Sequence, residues 1–382
     1  MQKKLIALAV AGLAAAPVFA QSNVTIYGVV DAGLGVGHAD NVDFRGVVGG
    51  VLSGNRIGFK GAEELGNGLK AVFQLEQGFN IDDGTFHQAN RQFSRQAYVG
   101  LQGAFGTVSL GRQYAPGYFA GYDAALSSNV SPQSVFSAGG GLTITPNSPA
   151  RWNNAIAYTG SFSGFTARAI YSANDTEAEL HTPGVAVHAP GADDKFGLGL
   201  DYANGPLKVG AVFQYLHQAR ADIDTRAGAG FVTMQDKNQR EWYVGGSYDF
   251  GFLEVDASFQ AGKGVDYSVV NTKVASTDPD AVAFGADQSV RLWNVGVIVP
   301  VSAAGKVHVD YGRFTNKDSN DADARSWTLA YTHALSKRTT GYAAYQRVYN
   351  DKFAAFGAGQ VSQLGVSDEQ NSLLTVGMRH TF

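Results

Sequence analysis

Residue types that often perform catalysis or bind metals are present, but their spacing builds no site. The eight histidines include no His-Glu-x-x-His pair, and the chain has no cysteine, so neither a zinc-binding helix nor a thiolate site is indicated. The glycine-rich stretches 33–37 and 139–141 do not follow a buried strand and open a helix, as a phosphate-binding loop requires. No serine stands out as an activated nucleophile. The sequence therefore predicts no enzyme, no cofactor and no metal centre.

One connector contains an acidic cluster, formed by Asp318, Asn320, Asp321 and Asp323. Oxygen ligands of this kind could bind Ca²⁺, but the spacing lacks the glycine and the closing glutamate of a calcium loop. A solvated loop is the favoured interpretation, and ionic contact with anionic surface groups bridged by divalent cations is a third one.

Basic residues in alternating segments could attract anions. Arg56 and Arg112 lie on glycine-flanked segments, and we assign the apolar residues Ile57, Phe59 and Leu110 to the opposite face. Alternation places both arginines opposite these apolar residues, so both are expected to point into water. Lys60 shares the face of Arg56. Arg168 alternates with alanines and is also expected to point inward.

The elements that must position these residues show a period of two. The apolar residues of 253–261 alternate with Glu254, Asp256, Ser258 and Gln260, which gives a strand one apolar and one polar face. We find sixteen such segments, which begin near Val24, Asn55, Leu69, Arg95, Phe105, Asn154, Gly164, Lys195, Leu207, Arg240, Leu253, Arg291, Gly305, Ala324, Thr339 and Asn371.

The connectors alternate between short and long. Short turns such as 66–68 and 103–104 separate long stretches, which are 33–54, 80–94, 114–153, 173–194, 217–239, 263–290, 315–323 and 350–370. This layout is typical of an outer-membrane barrel with short periplasmic turns and long external loops. A soluble β-sandwich would need a second sheet or helices to cover the apolar face, and the sequence shows no amphipathic helix. The expected fold is an all-β, sixteen-stranded antiparallel transmembrane barrel.

The N-terminus has the pattern of a secretion signal. Lys3 and Lys4 precede an apolar run over 5–16, and Val18 and Ala20 supply the small residues of a cleavage site. We expect a signal peptide over 1–20, cleaved after Ala20, and one barrel domain over 21–382. The formal net charge of −4 argues against a nucleic-acid partner.

Four stretches resemble the general porins of Gram-negative bacteria, closest to the β-proteobacterial branch of sixteen-stranded trimeric porins. They are 55–68, the hairpin 98–113, 153–158 and the terminal segment 376–382. The resemblance implies a homotrimer in which each subunit has its own pore, narrowed by an inward-folded third loop. Family members often carry a Pro-Glu-Phe-Gly stretch in that loop, and 114–150 has none.

The resemblance also implies roles for particular residues. Arg56 and Arg112 match the basic wall of the pore constriction. Arg151 and Arg168 match no family motif, and the full set expected at the constriction is Arg56, Lys60, Arg112, Asp123, Arg151 and Arg168. Asp123 is the one charged residue of 114–150. Three or four positive charges that face one negative charge predict a preference for anions.

The C-terminal segment places Leu374, Val376, Met378, His380 and Phe382 on one face. The resemblance implies that the barrel-assembly machinery reads the terminal aromatic of such a face, so Met378, His380 and Phe382 form the expected assembly signal. Other expected partners are outer-membrane lipid, lipopolysaccharide and small hydrophilic solutes.

The expected function is passive diffusion of small hydrophilic solutes and ions across the outer membrane, with a preference for anions. A substrate-selective porin is an alternative that shares every motif named above. An outer-membrane barrel hydrolase or an adhesin belongs to a different class. Hydrolysis that tracks one serine or histidine would favour the hydrolase, and a high single-channel conductance would count against the adhesin.

Overall fold

Strands make up nearly all of the regular structure. The computed structural model describes residues 23–40, 42–125, 129–146, 150–173, 194–224, 231–265 and 287–382, so the expected signal peptide lies outside the described residues. The strands are β1 Asn23–Ala39, β2 Val42–Gly49, β3 Arg56–Gly66, β4 Leu69–Gly78, β5 Gln96–Gly103, β6 Gly106–Tyr114, β7 Arg151–Phe162, β8 Phe165–Ser172, β9 Lys195–Asn204, β10 Leu207–Asp224, β11 Phe231–Asp249, β12 Glu254–Val265, β13 Gln288–Pro300, β14 Gly305–Asn316, β15 Ala324–Ala334, β16 Thr339–Asn350 and β17 Gln370–Thr381.

All strand pairs are antiparallel, and the sheet closes through β1. This strand pairs with β17 along one edge and with β2 and β3 along the other. Because β2 and β3 pair with successive parts of β1, together they form the second strand of the barrel. The seventeen strands of the sheet therefore make the sixteen-stranded closed barrel that the sequence predicts, with no edge left to face hydrocarbon.

The interruption between β2 and β3 is built around Asp31. Its carboxylate accepts hydrogen bonds from Leu52 N at 2.6 Å and Ser53 N at 2.8 Å, and Asn55 Oδ1 accepts one from Asp31 N at 2.5 Å. Gly50 turns the chain with a φ of 70°, a conformation that favours glycine. At 50–55, where the chain leaves the sheet, hydrogen bonds from the side chains of Asp31 and Asn55 thus replace the backbone hydrogen bonds between strands.

Two expected external loops are shorter than the sequence suggests. The stretch 33–54 was expected to be a connector, but most of it forms the end of β1 and all of β2. In 217–239, β10 continues to Asp224 and β11 begins at Phe231. On β2 the apolar residues Val42, Phe44 and Val48 pack into the interior while Asp43 and Arg45 are exposed, which is the reverse of a lipid-facing strand. The outer parts of β10 and β11 extend beyond the segments whose apolar residues alternate.

The periplasmic turns follow the expected chemistry. At the turn between β3 and β4, Asn67 and Gly68 have φ values of 52° and 76°. Two consecutive positive φ values define the type I′ geometry that matches the twist of a hairpin, and asparagine followed by glycine is the preferred pair for it.

The two faces of the strands divide as the alternation predicts. On β15, Leu329 and Tyr331 are exposed on the outer wall, whereas Ser326 and Thr328 are buried inside. The outer wall carries exposed apolar side chains on strands around the barrel, among them Ile26, Leu34, Val99, Leu110, Ile156, Leu198, Trp242, Val295, Leu329 and Val376. No helix among the described residues is long and apolar enough to cross a membrane.

The largest packed apolar core lies inside the barrel rather than between layers. The helix α1, Pro132–Gly139, and the connector after β16 meet there against the inner wall. Phe136 packs edge-on against Phe356 with ring centres 5.0 Å apart, and Phe314 of β14 lies 5.0 Å from the same ring. The described part of the third loop is therefore folded into the lumen.

Candidate pore constriction

The inward loop begins after β6 and is fixed to the opposite wall by its backbone. Gly117 N donates to Gln214 Oε1 of β10 at 2.7 Å, and Tyr122 N donates to the hydroxyl of Tyr243 on β11 at 3.1 Å. Further along, Ala125 N donates to a carboxylate oxygen of β14. The loop follows the wall from β8 towards β15, which leaves the lumen between the loop and the remaining strands.

Glu241 is the strongest single anchor of the loop. Its fully buried carboxylate accepts from Thr143 N at 2.8 Å, Ile144 N at 3.0 Å and Thr143 Oγ1 at 2.7 Å. Gln239 Nε2 donates to the same carboxylate at 2.7 Å. These hydrogen bonds compensate the cost of burying the carboxylate. The loop is therefore anchored to the wall although 114–150 contains no Pro-Glu-Phe-Gly stretch.

Local sequence also shapes α1. Ser131 caps its N-terminus by accepting from Ser134 N at 3.3 Å, and Pro132 occupies the first turn, where its missing N–H costs nothing. After the helix, a Cβ on Gly140 would lie 2.6 Å from a ring carbon of Phe314. Glycine is therefore required where the loop approaches the wall.

On the opposite side of the lumen, Glu76 gathers basic and phenolic side chains. Its carboxylate lies 2.7 Å from Arg95 Nε and 3.8 Å from Arg56 Nε. The hydroxyls of Tyr27 and Tyr114 donate to it at 2.7 and 2.5 Å. The side chain of Arg56 is 20% exposed, against 2% for Arg95 and 4% for Glu76, so Arg56 is the most exposed of these three charged side chains.

Arg151 completes this arginine cluster, which we define as Arg56, Arg95 and Arg151 with Glu76. Its guanidinium lies 5.5 Å from the centre of the Tyr114 ring, and that of Arg95 lies 5.7 Å from the same centre. Stacking on one ring lets two buried cations share an aromatic partner. The cluster contains three positive charges and one negative charge.

Lys60 and Arg168 also face the lumen, as the alternation predicts. The ammonium of Lys60 lies 5.2 Å from the ring centre of Tyr27, next to the arginine cluster. Arg168 instead forms an ion pair with Asp201 of β9, and its guanidinium lies 4.2 Å from the ring centre of Phe119 in the inward loop. Asp201 therefore offsets the charge of Arg168.

Arg112 is placed differently from the expectation. It lies two residues from Leu110, so it shares the face of that side chain, and it pairs opposite Ala97. Its guanidinium donates to Ser94 O at 2.8 Å, to Asn153 Oδ1 at 2.5 Å and to Gln88 Oε1 at 3.0 Å. These contacts hold Arg112 between the second external loop and the start of β7, and the structure does not bring it together with Arg56.

Asp123 also lies away from the arginines. It is 4% exposed and interacts electrostatically with Asp256 and Asp310 on the opposite wall. In the sheet, Asp256 and Asp310 pair with Gly296 from either side. Ala124 of the loop packs against this glycine, and a Cβ on Gly296 would lie 2.5 Å from the Cβ of Ala124. Sequence reasoning could not tell which wall the loop would contact.

Sequence reasoning missed Glu76 and Arg95 as site residues. The signal for Glu76 was present, because it alternates with apolar residues on β4 and so belongs to the inner face. Arg95 precedes the first residue of β5, where alternation gives no direction. Its role became visible only from its contact with Glu76.

In the acidic connector, carboxylates accept hydrogen bonds from backbone N–H groups nearby. Asp318 Oδ2 accepts from Ser289 N at 2.6 Å, and Asp323 Oδ1 accepts from Asn316 N at 3.0 Å. Among the described residues, no group of three or more His, Asp or Glu side chains is arranged to hold a metal ion.

The terminal strand closes the barrel as a lipid-facing element. Val376 and Met378 are exposed on its outer face, and the terminal Phe382 exchanges backbone hydrogen bonds with Gly28 at 3.1 and 3.2 Å. A Cβ on Gly28 would lie 2.3 Å from the Phe382 ring. The glycine thus leaves room for the ring on the outer wall.

A closed sixteen-stranded barrel with an apolar outer wall, a charged lumen and a loop folded inside defines a transmembrane diffusion pore. The model of the Gram-negative porin family matches residues 7–352, and the chain belongs to this family. Its localisation is accordingly the outer membrane.

Similar proteins agree with this assignment. The chain is 31% identical to an outer membrane porin protein of Bordetella pertussis and 32% identical to outer membrane porin protein 32 of Delftia acidovorans, with 100% of both chains covered in each case. Among solved structures, it resembles an anion-selective porin from Comamonas acidovorans with a TM-score of 0.73 and 26% identity, covering 95% of this chain and 100% of that one.

Proposed function

We propose that this porin lets small hydrophilic solutes diffuse passively and that it prefers anions. The observation that carries the proposal is the arginine cluster, in which Arg56, Arg95 and Arg151 outnumber Glu76 on one wall of the lumen. Lys60 adds a further positive charge beside it. The proposed constriction lies between this wall and the inward loop, and the process needs no covalent chemistry or energy source.

Local charge rather than total charge decides the ion preference. The chain has a formal net charge of −4, which by itself would favour cations. At about 0.15 M salt, however, charges more than about 8 Å apart are largely screened. Arginine and lysine side chains at a narrow point stabilise an anion that has shed part of its water. The similar porin described as anion-selective supports the same conclusion.

Neutralising the accessible positive charges should shift the selectivity. In Arg56→Gln with Lys60→Gln, the zero-current potential across a salt gradient should move towards cations, because both side chains face the lumen. The matched control is Lys337→Gln with Arg338→Gln, which removes two positive charges from a periplasmic turn and should move the potential much less. Equal shifts of the zero-current potential in the two double variants would show that these side chains do not line the constriction.

Targeting and assembly complete the proposal. Residues 1–20 would act as a signal peptide that is cleaved after Ala20, and three copies would assemble into a homotrimer with one pore each. The outer wall would contact outer-membrane lipid and lipopolysaccharide. The barrel-assembly machinery would read the terminal strand through Met378, His380 and Phe382, and the exposure of Met378 and Phe382 on the outer wall supports this.

Changing the terminal aromatic should impair insertion. In Phe382→Ser, the ring that packs over Gly28 is lost while the lumen is untouched. We expect severalfold less protein in the outer membrane and accumulation or degradation in the periplasm, measured by cell fractionation. Wild-type amounts of heat-modifiable trimer would show that the terminus carries no assembly signal.

A further inference from the structure

A row of basic side chains crosses the outer wall on six consecutive strands, β11 to β16. We define this external basic row by its members, Arg240, Lys263, Arg291, Arg313, Arg325 and Arg347. The strand pairing places each of them on the same face as exposed apolar residues such as Trp242, Val295 and Leu329, and all except the half-buried Arg347 are exposed. These charges therefore lie outside the pore.

An aromatic row lies directly below the basic row, one step towards the periplasm. Its members are Trp242, Trp293, Tyr311, Trp327 and Tyr345, each two residues along the strand from one of the five arginines. Neighbouring strands bring the rings into contact, with Trp293 and Tyr311 centred 5.5 Å apart and Trp327 and Tyr345 5.3 Å apart. Aromatic girdles mark the membrane interface. Two strand residues span about 6–7 Å, so the basic row lies at the level of the lipid headgroups.

Like charges in the basic row are placed directly opposite each other. Arg240 pairs with Lys263, and Arg313 pairs with Arg325, an arrangement that destabilises a sheet unless an anion compensates it. Asp323, which lies 3.1 Å from Arg313, and Asp351 offset part of the charge of the row. Both are near β14 and β15, whereas the pair formed by Arg240 and Lys263 lies several strands away.

An apolar groove starts just below Arg240. Its volume is about 560 Å³, and it runs along the outer wall between Trp242 and the leucines of β9. Small side chains such as Ala169 and Ala211 form its floor, and Phe213 pairs with Trp242 beside it. A groove of this shape below two cations fits an acyl chain whose headgroup carries a phosphate.

We infer that the external basic row binds the phosphate groups of a phosphate-bearing lipid in the outer leaflet, with one acyl chain in the groove beside Trp242. Guanidinium groups bind phosphate oxygens through paired hydrogen bonds, and each basic side chain near a charged lipid surface strengthens binding. The inference rests on the outer-membrane localisation and on the orientation of the barrel, but not on the proposed ion preference.

Binding of diphosphoryl lipid A to the detergent-purified porin tests this inference. The variant Arg240→Gln with Lys263→Gln should weaken binding about ten- to thirtyfold. The control Lys337→Gln with Arg338→Gln removes the same charge from the periplasmic end and should stay within about twofold of the wild type. Monophosphoryl lipid A should bind more weakly than the diphosphoryl form to the wild type.

Single-channel conductance of Arg240→Gln with Lys263→Gln distinguishes the proposed lipid binding from the proposed ion preference. Because the basic row is outside the lumen, conductance and ion preference should be unchanged, which also shows that the variant has folded. Equal lipid binding by the two double variants would overturn the inference. So would competition by millimolar inorganic phosphate, since the site would then recognise a free anion, or a change of oligomeric state in the variant, since the row would then be an interface between copies.

Discussion

Replacing Glu241 with alanine should convert a steady pore into one that closes repeatedly. The substitution leaves Thr143 N, Ile144 N and Thr143 Oγ1 without their acceptor. A buried donor without a partner costs about 1–3 kcal/mol, so the attachment of the loop at 141–146 should weaken by several kcal/mol. The space open to a detached loop is the lumen. We therefore expect frequent partial closures in single-channel recordings.

Glu254→Ala is the matched control for this prediction. It removes a carboxylate of the neighbouring strand that forms an ion pair with Lys208 at 3.5 Å, near the periplasmic end of the lumen. Its recordings should keep a steady open level. If Glu241→Ala is as steady as the control, Glu241 does not hold the loop.

Glu76→Gln and Arg95→Gln should both destabilise the barrel but shift its ion preference in opposite directions. Each removes one partner of a buried ion pair whose atoms lie 2.7 Å apart, and breaking such a pair costs about 3–5 kcal/mol. Glu76→Gln makes the arginine cluster more positive and should strengthen the preference for anions. Arg95→Gln makes it less positive and should weaken that preference.

Two measurements on the same samples separate these effects. The temperature at which the purified protein loses its heat-modifiable mobility should fall in both variants. Zero-current potentials in a salt gradient should move away from the wild-type value with opposite signs. A shift of the same sign in both variants would mean that the potential reports a distorted barrel rather than the charge of the cluster.

The strands could be predicted because lipid and water impose a strict period of two. β9, β12 and β17 each alternate over most of their length, and their predicted starts lie within a residue of those in the structure. The same rule correctly placed Arg56, Lys60 and Arg168 in the lumen. Alternation failed in β2, whose apolar side chains Phe44 and Val48 point into the interior, and in the outer parts of β10 and β11, which extend beyond the alternating segments.

The site was harder to predict because its contacts join distant parts of the chain. Glu76 meets Tyr27 and Tyr114 from strands two positions away on the same wall, and nothing local in the sequence encodes these contacts. The sequence analysis assigns Arg112 to the face opposite Leu110. The two residues are two positions apart on one strand, however, so Arg112 shares the face of Leu110, which points to lipid. The glycine at 111, with a φ of 130°, interrupts the strand pairing there.

Conduction by the wild-type protein tests the central claim most directly. The purified porin would be inserted into a planar bilayer that separates two concentrations of potassium chloride, and the zero-current potential would be measured. Because the arginine cluster carries more positive than negative charge, we predict a potential whose sign shows faster passage of chloride than of potassium. A potential of the opposite sign would contradict the proposal that this cluster controls permeation.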